Sequence, residues 1–196
     1  MPNPIELMRQ FYEVDAEMES RLLDVMEERC FKRGDIVSGA GTLSSSAFYI
    51  VSGSARVFYL MGGKEKTFSF SFEDEFIALS RHLINSRDNT LSIQFLEPTT
   101  VIALKHEAIR RTIEADPKGM NMVEALLFVN MALIKSSLYL EERLVQFQQA
   151  SARDRYQWAI TRYPRLLEVA NGTQLASFLG LTRETLYRIR SGEYPS

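Results

Sequence analysis

The chain has 196 residues, 45% of them hydrophobic and 24% charged, with a formal net charge of −2; this is the balance of a folded globular protein of one large or two modest domains and excludes a disordered polar chain. A single cysteine, Cys30, excludes an internal disulfide, a zinc site built on several thiolates and an iron–sulfur cluster, and the two histidines, His82 and His106, stand far apart in the sequence, so a metal site would have to lean on carboxylates and is not expected. Four acids within the first 17 residues, Glu6, Glu13, Asp15 and Glu17, argue against a signal or transit peptide, and no apolar run is long enough for a bilayer, so a cytoplasmic location is expected.

At the N-terminus, Asn3 and Pro4 read as the cap and first residue of a short helix. Asp15 caps a second helix whose apolar side is Met18, Leu22, Leu23, Val25 and Met26, and this helix runs up to a turn at Lys32–Asp35. From Phe31 to Leu104 the period falls to two: Phe68, Phe70 and Phe72 share one face, with Thr67, Ser69 and Ser71 on the other. Ser52-Gly53 and Gly62-Gly63 read as hairpin turns, and further strands are expected at Leu91–Phe95 and Thr100–Leu104 around a turn at Glu97-Pro98. Several short antiparallel strands in one unit predict a sandwich, roll or jelly roll.

Beyond Lys105 the pattern is helical. His106–Ala115 reads as a short helix ended by Asp116-Pro117, and Lys118–Gln149 as a long one. Met122, Leu126, Val129, Leu133, Ser136 and Leu140 alternate at four and three along it, the seam of a two-helix contact. Leu127, Phe128, Met131, Ile134 and Leu138 lie on other faces. The expectation is that one side packs on the sheet while the seam meets a second copy of the chain; a helix wholly buried within a monomer is the alternative.

Ser151 and Asp154 begin the next helix, which ends near Tyr163-Pro164. Asn171-Gly172 then breaks the chain before two short amphipathic stretches that meet at Gly180. Leu175, Ala176 and Leu179 form the inner side of the first, Thr182 caps the second, Leu186 and Ile189 form its inner face, and Leu181 plugs the turn. Such a pair is a helix-turn-helix, whose second helix can enter the major groove. Arg183, Glu184, Tyr187, Arg188 and Arg190 lie outside its apolar face. Arginine can grip guanine through O6 and N7, and glutamate can accept from cytosine N4. A helical hairpin with a solvated charged face is the competing reading. Residues 151–196 hold seven arginines against four carboxylates, a net +3 that leaves −5 on the remainder. A basic segment on an acidic body points to nucleic acid, though a solvated arginine-rich helix has the same charge.

The order of helix, β-roll, long helix and helix-turn-helix resembles the Crp/Fnr superfamily of transcription regulators over nearly the whole chain, most specifically in "LGLTRETLYRIR". In the family an Arg-Glu pair, followed by an arginine four residues after the Glu, reads the operator; those places are filled by Arg183, Glu184 and Arg188. The resemblance thus implies base contacts from these three, and backbone contacts from Thr173 and Thr182 at the two helix starts, joined by Tyr187 and Arg190. "FKRGDIVSGAGTLSSSAFYIVSGSARVFY" resembles the opening strands of the family's cyclic-nucleotide-binding roll. The fold class implied is α+β: a sensor domain over residues 1–116, a dimerisation helix over 117–149 and an all-α DNA-binding domain over 150–196.

Two departures qualify the resemblance. The effector cassette maps to Phe76, Ile77, Ala78, Leu79, Ser80, Arg81, Asn89 and Thr90. It lacks the Gly-Glu pair for the ribose, and Asn89-Thr90 stands where cyclic-nucleotide binders place Arg-Ser or Arg-Thr. An uncharged Asn89 supplies no ion pair to a cyclic phosphate. Cyclic AMP and haem are therefore not expected, and any small-molecule effector is unidentified. The path from Tyr163 to Thr173 also leaves little room for a β-wing, resembling the compact regulators of this superfamily found in Bacteroidetes. The expected partners are double-stranded DNA with a near-palindromic operator, a second copy of the chain and, for an activator, RNA polymerase. A sensor or protein-interaction module that has lost DNA binding is the alternative. An enzyme is not expected, because the sheet region holds neither clustered His/Glu ligands nor a phosphate-cradling glycine loop.

Overall fold

The structure, a computed structural model, describes residues 3–10, 12–38, 46–78, 91–105, 111, 114, 120–149 and 151–193. Asn3 caps α1 (Pro4–Arg9), its side-chain oxygen accepting from the Ile5 N–H at 2.9 Å. Asp15 caps α2 (Ala16–Asp24) in the same way, from Met18 N–H at 2.8 Å. Here the chain departs from the sequence reading. The helix stops at Asp24, and Met26–Phe31 forms a strand, β1, antiparallel to β8 (Thr99–Lys105) from Met26 opposite Leu104 to Phe31 opposite Thr99. The segment "MEERCF" has little β-propensity of its own; a partner about seventy residues away makes it a strand.

The remaining strands are β2 (Ile36–Ser38), β3 (Ser46–Ser52), β4 (Ala55–Met61), β5 (Lys64–Ser71), β6 (Phe76–Ala78) and β7 (Leu91–Phe95). They form two four-stranded sheets, β1-β8-β3-β6 and β2-β7-β4-β5. Phe48, Ile50, Val57, Ile93, Phe95 and Val101 fill the space between them. Gly62-Gly63 is a hairpin turn, with Met61 opposite Lys64. Ser52-Gly53 is not, because β3 and β4 belong to different sheets. Gly53 has φ +96°, and a Cβ there would stand 2.5 Å from Thr99 Oγ1 and 2.7 Å from the Pro98 carbonyl oxygen. Glycine is required by this close crossing as much as by the turn.

The phenylalanine stripe of β5 faces away from the roll's interior. Ala55 and Val57, both in the inter-sheet core, lie opposite Ser71 and Ser69, which places the serines inward. Phe70 and Phe72 point outward and are nevertheless buried, because the C-terminal helices cover them. A register shift between Val57 and Phe58 leaves Phe68 more exposed.

The long helix α3 spans Met120–Gln149. Met131 is buried and Leu127 half-buried against α1, α2 and the first sheet. Ile134 and Leu138, placed by the sequence on other apolar faces, are exposed, as are Leu126, Leu133 and Leu140 of the seam. The side chains of Met122, Phe128 and Val129 lie outside the described residues, as does most of the short helix expected at 106–115. Four helices follow: α4 (Ala152–Arg162), α5 (Leu166–Val169), α6 (Gly172–Leu179) and α7 (Arg183–Ser191). The one-turn helix α5 fills the short path from Tyr163 to Thr173. Among the described residues no helix is long and apolar enough to cross a membrane.

Candidate nucleic-acid interface

The start of α6 is framed by a reciprocal cap. The Asn171 side chain accepts from the N–H groups of Thr173 and Gln174, and the Asn171 N–H in turn donates to the Gln174 side-chain oxygen at 3.0 Å. Thr173 is exposed on the first turn. The helix ends at Gly180, whose left-handed φ of +66° lets the Leu181 N–H donate back to the Ala176 carbonyl at 2.8 Å. This is the sharp turn that the sequence required of Gly180. A Cβ on Gly180 would lie 3.0 Å from the Phe147 ring, so the turn rests directly on α3.

Thr182 caps α7, accepting from the Thr185 N–H at 3.0 Å, with the two threonine hydroxyls 2.9 Å apart. Leu175, Ala176, Leu179 and Leu186 are buried together, with Leu181 packed against them. Ile189 is only half-buried, so Leu186 carries most of the inward face of α7. Arg183, Glu184, Tyr187, Arg188 and Arg190 are all exposed, Tyr187 to 67%. At 100° per residue, positions 183, 184, 187, 188 and 190 fall within an arc of about 160°, with Glu184 and Arg188 opposite Leu186 and Arg183 and Arg190 flanking it. The sequence-derived base-contact trio therefore lies together on one accessible face.

What sequence reasoning missed is how this unit is seated. Phe178 is fully buried, with its ring 5.1 Å from Phe70 and 5.9 Å from Trp158. The Thr67 N–H donates to Ser177 Oγ at 3.0 Å, joining β5 to α6. Arg143 of α3 donates to the carbonyl oxygens of Phe68 and Phe178, and its guanidinium lies 4.9 Å from the centre of the Phe178 ring. Arg165 bridges Glu73 and Glu97, and Arg162 binds Glu75 at 2.7 Å. Burial works against the charge on Glu73, but backbone N–H groups and Arg165 outweigh it and hold this carboxyl below the ordinary range. At Glu75 burial prevails over Arg162 and pushes the carboxyl up. None of these long-range contacts has a local signature.

Of the cassette residues, Phe76 lies 5.1 Å from the Tyr49 ring and Ile77 is a buried member of the inter-sheet core opposite Phe48. Ala78 pairs with Ala47. Leu79, Ser80, Arg81, Asn89 and Thr90 lie outside the described residues.

Residues 28–116 match the family model described as Cyclic nucleotide-binding domain. Among solved structures, the c-di-GMP-responsive global regulator CLP from Xanthomonas campestris is 16% identical with a TM-score of 0.65, covering 91% of each chain. A protein of the crp/fnr family from Eubacterium rectale is 16% identical with a TM-score of 0.66, over 91% of this chain and 82% of that one. The chain has the Crp/Fnr fold. The catabolite activator protein of Thermus thermophilus shares it at 21% identity and a TM-score of 0.52, over 97% of this chain and 86% of that one. No curated protein matches the sequence. The α+β architecture expected from the sequence, with roll, flanking helices and a helical C-terminal region, is thus the observed one.

Proposed function

We propose that this protein is a homodimeric, sequence-specific DNA-binding transcription regulator of the Crp/Fnr type, working without cyclic AMP. The observation that carries the reading is the single exposed face of α7, bearing Arg183, Glu184, Tyr187, Arg188 and Arg190 on a capped helix-turn-helix in a Crp/Fnr fold. Arg183, Glu184 and Arg188 read base edges, while Thr173, Thr182, Tyr187 and Arg190 meet the backbone. Dimerisation is supported by the exposed Leu126, Leu133 and Leu140, seven residues apart on α3. Two-fold symmetry then requires a near-palindromic site with half-sites about 34–36 Å apart. The cassette residues Phe76–Arg81, Asn89 and Thr90 mark the place of any effector.

Titration of a bound duplex with single variants tests the assignment. Arg183→Ala and Arg188→Ala should each lose about 1–3 kcal/mol and relax one base position. Wild-type affinity and selectivity in both would remove α7 from the role.

A further inference from the structure

Three turns meet at one end of the roll, and two of them present carboxylates to the C-terminal helices while the third, Gly53-Ser54, donates to both. Glu73, between β5 and β6, accepts from the Gly53 N–H at 3.0 Å, and Glu97, between β7 and β8, accepts from the Ser54 hydroxyl at 2.7 Å. Both are thereby aimed before any partner arrives. Arg165 fills the gap: Nη1 donates to Glu73 at 2.6 Å, and Nη2 to both oxygens of Glu97 at 2.8 and 2.7 Å. Beside it, Arg162 donates to Glu75. Two of the seven arginines of residues 151–196 are thus bound to the acidic body of their own chain.

Arg165 stands at the start of α5, and this four-residue helix, rising about 6 Å, leads straight to the Asn171 cap and Thr173. The guanidinium fork that grips two carboxylates grips a phosphate with the same geometry. The side chains of Arg165, Glu73 and Glu97 are 39%, 34% and 23% exposed. Ion pairs this open to water are weak enough to exchange for another anion. The seat around Phe178 is built from apolar side chains, which would hold the unit on the roll when the arginine turns outward.

We propose that Glu73 and Glu97 act as internal phosphate mimics that hold Arg165 out of DNA binding, so that the roll lowers the DNA affinity of its own helix-turn-helix. The proposal rests on the DNA-binding reading above. It differs from a merely structural clamp in sign, because breaking a clamp weakens binding whereas removing a competitor strengthens it.

The test compares full-length Glu73→Gln/Glu97→Gln with a charge-matched control, Glu13→Gln/Glu28→Gln, whose carboxylates are exposed elsewhere on the chain. Glutamine keeps a carbonyl oxygen for the Gly53 and Ser54 donors. Binding to a non-specific duplex is followed over a salt series, with elution from heparin as a DNA-independent polyanion readout. The latch variant should bind roughly threefold or more tighter than the control, its log K against log salt steeper by about 0.9 for the one released cation, and it should elute later from heparin. Adding Arg165→Gln should abolish the excess. Equal behaviour of the two glutamine pairs, or weaker binding by the latch variant, overturns the proposal. If the double variant fails to fold, Glu97→Gln against Glu28→Gln carries the same comparison. Indifference of a selected operator to the Arg183→Ala/Arg188→Ala change would instead defeat the DNA reading, while the heparin arm would still report whether Arg165 is released.

Discussion

Two apolar faces of this molecule have similar chemistry and opposite fates. The outer side of β5 carries Phe70 and Phe72, and both are sealed by Tyr163, Phe178 and their neighbours from the chain's own C-terminus. The outer side of α3 carries Leu126, Leu133, Leu140 and Leu144, and all four are exposed, by 58%, 56%, 44% and 56%. The first face is covered because the C-terminal helices, which follow α3 with almost no linker, fold back onto it. The second is left over once that choice is made. An apolar period identifies a face that needs covering, and the connectivity determines whether the same chain or another copy supplies the cover.

The contrast can be broken at either face. The largest effect is expected on α3: Leu133→Asp removes an apolar contact twice in a symmetric pair, about 3–6 kcal/mol of association at 1.5–3 kcal/mol per buried leucine. Sedimentation velocity should show a dimer for the wild type and a folded monomer for the variant. An unchanged dimer would assign the stripe to something other than self-association. At the covered face, Phe178→Ala should cost about 3–5 kcal/mol of unfolding free energy, measured by denaturant titration. A loss below about 1 kcal/mol would mean that the terminal unit is only loosely seated.

Gly180→Ala is a smaller perturbation at the junction of the two faces, where the helix-turn-helix turn meets Phe147. Left-handed backbone and the tight ring contact together predict a loss of about 1–2 kcal/mol, and a melting curve that matches wild type would refute the docked turn. The smallest effect separates two carboxylates on one turn. Glu73, held below the ordinary range, contributes stability that is present above its unfolded value and disappears as pH falls through its folded one. Glu75, raised by burial, carries a penalty when ionised that is relieved as pH falls through its raised value. On acidification, side-chain carboxyl NMR should therefore show Glu75 taking its proton before Glu73; the reverse order would contradict the burial difference.

Local signals proved sufficient for most of the caps and for the turns at Gly62-Gly63 and Gly180. Asn3, Asp15, Ser151 and Thr182 each sit where their short side chains meet a helix start, Asn171, read only as a chain break, is a further cap, and Gly180 takes the left-handed conformation that its place between two amphipathic stretches demanded. The exposed face of α7 was legible for the same reason, since the 3.6-residue period sets Glu184 and Arg188 opposite Leu186, with Arg183 and Arg190 at the flank of that face. Non-local features were not. Strand β1 exists because β8 pairs with it, Gly53 joins two sheets rather than two hairpin strands, and the β5 phenylalanines face a helical unit that begins some eighty residues later. The arginines were equally ambiguous: Arg162 and Arg165 look like their neighbours in sequence, yet they bind the roll, while Arg183 and Arg190 are exposed on α7.

The central claim is that the exposed face of α7 reads DNA as a symmetric pair. Its most direct test is selection of bound sequences from a random duplex pool by the full-length protein, with the Arg183→Ala/Arg188→Ala variant run beside it. The account predicts a near-palindromic motif, its halves one helical turn apart, that disappears in the variant. The same enrichment from both proteins, or a motif without two-fold symmetry, would contradict it.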